Sequence, residues 1–249
     1  MYLIRKFIWL ASLALLAACS TPVASQAGLS QSQPQSGSVA AADSWIYLSP
    51  EQVDTTRFLG PPPDAAASRQ EIELMLLMQS RRTPEQERRA AADHQQSVYR
   101  FADVMGEQFR RERLPHTTHL FALLHETANA LEKQGKKKWQ RVRPPQADAR
   151  IRPVAKYARS GSYPSGHATS SFLAGIVLAD LVPEQSEKIF ARAREFGENR
   201  VVAGVHYPSD VAAGQRLATL IAALIQQNPA YRQDYAAARS ELRGVLGLP

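Results

Sequence analysis

Cysteine is almost missing from this chain. Of 249 residues only Cys19 is one, so no internal disulfide can form and no cysteine-built metal site is available. Long apolar runs are also lacking after the N-terminus. Residues 172–182 are apolar but carry Asp180, and they fall short of the roughly 20 residues that cross a bilayer. No stretch shows strand-like alternation bounded by turn signals, and there is no internal repeat. Aromatic residues make up only 8%, and no nucleic-acid-binding motif accompanies the positive charge, which argues against a nucleic-acid partner. His116 and His119 lie close together without the acidic neighbours a metal site needs, so no metal is expected there.

What is present begins with a leader. Arg5 and Lys6 precede about a dozen apolar or small residues, the length of a signal-peptide core. The run ends in Leu16-Ala17-Ala18-Cys19, which resembles a bacterial lipobox and makes Cys19 the expected lipidated residue. Residues 1–18 then form a lipoprotein signal peptide. By resemblance to bacterial lipoproteins, Ser20 after the cysteine favours the outer membrane, so the expected location is the periplasmic side of the cell envelope. Residues 19–44 are rich in Ser, Gln, Ala, Gly and Pro and cannot bury a core, which predicts a disordered tether. The folded domain is expected over residues 45–249, long enough for one substantial core.

That domain reads as all-α. Ser68-x-x-Glu71 has the form of a capping box leading into Ile72 to Met78. Thr83-Pro84-Glu85-Gln86 is a stronger start, and the spacing of Val98, Phe101, Val104, Met105 and Phe109 extends its helix to about Phe109. A third helix is expected from about Pro115 to Lys133 with Gly135 as its C-cap. Residues 140–163 hold several prolines and read as a long loop. Further helices are predicted over residues 167–182, 184–199, 208–227 and 230–243.

The net charge of +7 is clustered. Most of the basic residues read as solvated helix faces, but the stretch from Lys136 to Arg143 is different. Lys136-x6-Arg143-Pro144, then Pro164-Ser165-Gly166-His167, then Asn199-Arg200-x5-His206-x3-Asp210 form an ordered set. Together they supply three cations, a Ser-Gly turn, two histidines and a carboxylate. Phosphoryl transfer needs that inventory: charge neutralisation, a nucleophile and a proton donor. The spacing of His206 and Asp210 places them on one face of a helical turn, where the carboxylate would fix the imidazole tautomer. Lys136, Arg143 and Arg200 would hold phosphate oxygens, the arginines through their planar forks. Ser165 and Gly166 would add a hydroxyl and a backbone N–H at a helix N-terminus. His94, His116, His119 and His125 carry no assigned role.

These three motifs, with Gly161-Ser162-Tyr163 ahead of the second and Leu59-Gly60-Pro61-Pro62-Pro63 near the domain start, resemble the type 2 phosphatidic acid phosphatase superfamily. Within it the closer resemblance is to the bacterial class A nonspecific acid phosphatases. The resemblance implies a single compact helical domain of the kind shared with haloperoxidases. It implies metal-independent hydrolysis of small phosphomonoesters with no cofactor, and it leaves a homodimer open. It also assigns His206 as the nucleophile that becomes phosphohistidine, Asp210 as its orienting partner and His167 as the general acid. Acid activity would need His167 protonated and His206 neutral, with the phosphate cluster raising the first. Asn199 departs from the Ser that usually opens the third motif. The leading reading is thus a lipid-tethered periplasmic acid phosphatase of broad specificity. Its alternatives are a lipid-phosphate or diphosphate phosphatase, a vanadate-dependent haloperoxidase, and a phosphate-binding envelope lipoprotein without activity.

Overall fold

The computed structural model describes residues 46–249; the expected signal peptide, Cys19 and the tether lie outside the described residues. Among the described residues there are ten α-helices and no strand. The first two are capped by aspartates. In α1 (Thr55–Leu59) the Asp54 carboxylate accepts from the Thr56 N–H, and in α2 (Ala65–Arg81) Asp64 accepts from the Ala67 N–H at 2.9 Å. So α2 starts three residues ahead of the expected cap at Ser68. The Thr83 capping box opens α3 (Pro84–Ala92) as its sequence predicts.

The expected long helix to Phe109 does not form. Its chain breaks at Asp93, whose fully buried carboxylate receives Arg192, Arg100 and Asn199. A 3₁₀ turn (Val98–Phe101), α4 (Ala102–Met105) and Gly106 at φ 92° replace it. Phe101, Met105 and Phe109 still reach the core, from short turns instead of one helix face.

The next helix, α5 (Pro115–Trp139), runs past the expected stop to a left-handed Gln140. Gly135 is inside it, not at its end. A Cβ there would lie 2.7 Å from Pro164 Cδ, so the missing side chain lets the Pro164 segment pass close by. Residues 140–163 are irregular except for α6 (Pro144–Ala147). The remaining helices fall within a turn of expectation: α7 (Gly166–Leu181), α8 (Ser186–Val202), α9 (Pro208–Ile225) and α10 (Pro229–Leu246).

α7 is apolar on almost every side, and a helix of that kind belongs in the interior. It packs on α8, α9 and α5, while α10 covers α5. Leu120, Leu124, Leu173, Leu178, Leu217 and Ile221 form part of the core between them, each with 2% or less of its surface exposed. No helix among the described residues is long and apolar enough to cross a membrane.

Candidate active site

The site gathers where α7 and α9 begin. Ser165 caps α7, its Oγ accepting from the Ala168 N–H at 3.4 Å. Its own N–H donates to the Asp210 carbonyl at 3.0 Å, which ties the Pro-Ser-Gly-His segment to α9. Gly166 packs against a buried carboxylate: a Cβ there would sit 2.5 Å from Glu132 Oε2.

His206 lies in the turn before α9, not on a helix as its spacing suggested; Asp210 occupies the third position of α9. The pairing forms all the same. Asp210 Oδ2 accepts from His206 Nδ1 at 3.2 Å and from the Tyr207 N–H at 3.0 Å. A proton on Nδ1 leaves Nε2 with a lone pair, and Arg143 Nη1 donates to that nitrogen at 3.0 Å. Arg143 also donates to the carbonyls of Ser160 and Val205.

Arg200, at the end of α8, is 1% exposed, and its Nε and Nη1 find no partner in the protein. Buried guanidinium N–H groups without acceptors are costly, and the cost is met where an anion binds. Lys136, on α5, pairs with Glu132 Oε2 at 2.5 Å. His167 Nε2 donates to the His94 carbonyl at 3.0 Å, and the two imidazoles stack with centroids 5.5 Å apart.

The electrostatics show that these groups share one region. Burial drives His206 down to about 4, with Asp210 opposing the fall and Arg143 and Lys136 adding to it. Burial, then Arg200, lowers His167 to about 2, and His206 contributes to that fall. This corrects the expectation that the phosphate cluster raises His167: burial, and after it the charge of Arg200, disfavours its proton. Burial, then Arg143, brings Arg200 down to about 10. Burial pushes Asp210 up, but hydrogen bonding and charge from His206, with Arg141 and the Tyr207 N–H, hold its carboxyl below the ordinary range. Burial holds the Glu132 carboxyl above its ordinary range against the pull of Lys136 and Arg143.

The structure thus brings together Lys136, Arg143, Ser165, Gly166, His167, Arg200, His206 and Asp210. Several neighbours were not singled out by their sequence. Arg141 donates to Asp210 Oδ1 at 2.6 Å, Glu71 Oε2 at 2.7 Å, Ser209 Oγ at 2.7 Å and Ser68 Oγ at 2.9 Å, with its Cζ over the Tyr207 ring 3.8 Å from the centroid. The signal was present in Ser68-x-x-Glu71, but those residues serve Arg141 and not a helix cap. Asn199 turns away from a ligand role and donates to Asp93 Oδ2 at 2.7 Å. Acidic residues do approach His116 and His119: Glu241 and Asp234 arrive from α10. The Glu241 carboxylate, however, is engaged by the 116 and 117 backbone N–H groups and Thr117 Oγ1.

An all-α domain that buries a histidine–aspartate pair beside two arginines is of the oxyanion-handling class. Residues 117–234, which contain all eight of these positions, match the model of the PAP2 superfamily. The chain is 30% identical over 146 residues to the non-specific acid phosphatase of Providencia stuartii, covering 57% of this chain and 59% of that protein. It is 32% identical over 158 residues to the non-specific acid phosphatase of Salmonella typhi, covering 59% and 61%. A 64-residue stretch is 42% identical to the lipid A 1-phosphatase of Rhizobium etli, covering 25% and 27%. The chain therefore spans about three fifths of the length of the acid phosphatases it matches.

Proposed function

We propose that the protein is an acid phosphatase that hydrolyses phosphomonoesters through a phosphohistidine, without a metal ion. The observation that carries this reading is the buried Arg200, whose Nε and Nη1 lack partners, in the field of Arg143, which itself donates to the unprotonated Nε2 of His206. An anion held by Arg143, Arg200, Lys136 and the start of α7 would present its phosphorus to that nitrogen. His206 Nε2 attacks, the bond from phosphorus to the ester oxygen breaks, and the departing oxygen takes a proton from His167. Asp210 holds the Nδ1 proton and stabilises the charge that the phosphorylated imidazole acquires. His167, now neutral, takes a proton from water, which attacks phosphorus and releases inorganic phosphate and neutral His206.

The acid optimum has a physical source. His206 stays neutral above about 4, while the proton that His167 lacks in the free site arrives with a monoanionic ester. A phosphomonoester loses that proton near pH ~6. Activity should then peak between those limits. The N-terminal pattern ending at Cys19 supports attachment of this enzyme to the envelope by a lipid, on the periplasmic face.

The test is turnover of p-nitrophenyl phosphate by wild type and His206→Ala, with EDTA present, across the acid range. Wild-type turnover should survive the chelator, and the substitution should lower it by at least ~1,000-fold, as expected when a nucleophile is removed. A variant that keeps most of its activity refutes the mechanism.

A further inference from the structure

Glu132 takes no step in the phosphoryl transfer, yet its carboxylate stands in the wall of the phosphate cradle. It is 6% exposed. Lys136 Nζ lies 2.5 Å from its Oε2, one turn along α5. From α7 the uncharged Gly166 abuts it, so closely that a Cβ there would meet Oε2 at 2.5 Å and Oε1 at 3.1 Å. Burial resists ionisation of the carboxyl. Lys136, Arg143 from the segment before α6, and the exposed Lys133 of α5 itself oppose that resistance. Glu132 in turn steadies the charge of Arg143. Three groups of the cradle thus converge on one buried carboxylate. Among the described residues no donor meets its Oε2 at hydrogen-bonding angles, so the charge there is only partly compensated.

The site as a whole is close to balanced. Arg141 is matched by Glu71. Lys136, Arg143 and Arg200 stand with Asp210 and Glu132, while His167 and His206 are neutral above about 4. One positive charge is left over. A singly charged phosphate neutralises it and a doubly charged one exceeds it. Desolvation cost grows with the square of the charge, so a dianion costs about four times as much to bury, and one surplus positive charge does not offset that.

Resting on the phosphatase reading, we propose that Glu132 selects the charge of the substrate: its carboxylate admits phosphomonoesters as monoanions and disfavours them as dianions. As pH rises, the ester and Glu132 both lose protons, and two like charges then meet at Lys136. Binding as well as proton transfer thus favours the acid side. Sulfate and inorganic phosphate separate charge from shape. At pH ~5 phosphate is a monoanion and sulfate a dianion of nearly the same tetrahedral form. The full chain is titrated with each anion by calorimetry, as wild type and as Glu132→Gln, which keeps the shape of the side chain and cannot ionise. His167 and His206 titrate in both proteins, so the difference between them isolates Glu132.

Glu132→Gln should tighten sulfate about 10- to 100-fold at pH ~5, the scale of lifting one repelling charge a few ångströms away. Phosphate at the same pH carries half the charge, so its gain should be about the square root of that factor. At pH ~8 phosphate is a dianion too, and the two gains should be equal. Equal gains at pH ~5 overturn the proposal, because they show that Glu132 only holds Lys136 in place; no gain for sulfate overturns it as well. Should the variant fail to fold, the wild type decides: phosphate must bind more tightly than sulfate at pH ~5, and sulfate binding as well or better removes the proposal. p-Nitrophenyl phosphate turnover, measured alongside, keeps the two readings apart. Turnover with equal gains removes charge selection and leaves the phosphatase. Unequal gains without turnover remove the phosphatase reading and leave a charge-selective anion site.

Discussion

Arg141 is the side chain on which the orientation of His206 depends at one remove. Its guanidinium holds the Asp210 oxygen that His206 does not use, and Glu71, Ser68 and Ser209 fix the guanidinium in turn. Lysine cannot reproduce a planar fork that serves four acceptors while lying over the Tyr207 ring. Arg141→Lys should lower kcat by about 100-fold, because a misplaced nucleophile loses its near-attack geometry. Competitive inhibition by inorganic phosphate should change little, since Arg141 lies outside the proposed cradle. Steady-state kinetics with phosphate as inhibitor check this; equal losses in kcat and in phosphate affinity would show that Arg141 binds the anion itself. The eight site residues were legible because each motif carries its chemistry within a few positions. Arg141 was not, because its meaning lies in Glu71 and Asp210, some seventy residues away on either side. Asn199 reads as a motif departure until Asp93, over a hundred residues earlier, is seen to accept from it.

At the level of elements, the same division holds. Helices with local signals, such as the Thr83 box before α3 and the Pro208 start of α9, stood where the residues put them. The stretch from Ser97 to Phe109 did not, because its helical spacing is also satisfied by short turns once Asp93 is drawn into a cluster of distant cations. The pairing of α7 with α8 rests on a contact that no local pattern announces. A Cβ on Gly175 would stand 2.5 Å from Ala193 Cβ, well inside contact distance. Gly175→Ala should therefore force the helices apart and cost ~1–3 kcal/mol, the usual range for overpacking, despite the better helix propensity of alanine. Ala193→Gly in the same chain restores the space and should return part of the loss, less the ~1 kcal/mol that a helical glycine costs. Chemical denaturation of the single and double variants measures it. A neutral Gly175→Ala would mean that α7 and α8 do not approach this closely.

Across the whole molecule, folding assembles a site at the expense of stability. It buries Arg200 with its Nε and Nη1 unpartnered, sets Arg143 near it, and lowers His206 to about 4 and His167 to about 2. In the unfolded chain both histidines titrate near 6.5. Between about 4 and 6.5 the unfolded chain thus binds protons that the folded one refuses, so stability must fall as pH is lowered through that window. For buried His206 alone the loss amounts to roughly 3 kcal/mol at ~1.4 kcal/mol per pH unit. Inorganic phosphate should oppose it, because an anion that binds only the folded state adds about 2.7 kcal/mol at a hundredfold excess over its Kd. Thermal melts over this pH range, with and without phosphate, should show Tm falling toward acid and phosphate raising it. Arg200→Met carries the argument further. Removing a buried charge whose Nε and Nη1 are unpartnered should raise Tm in the absence of phosphate, by the equivalent of ~1 kcal/mol or more. The same change should remove most of the rise that phosphate produces. A variant that is less stable than wild type yet still stabilised by phosphate would show that Arg200 is held for packing and that the anion is bound by other groups.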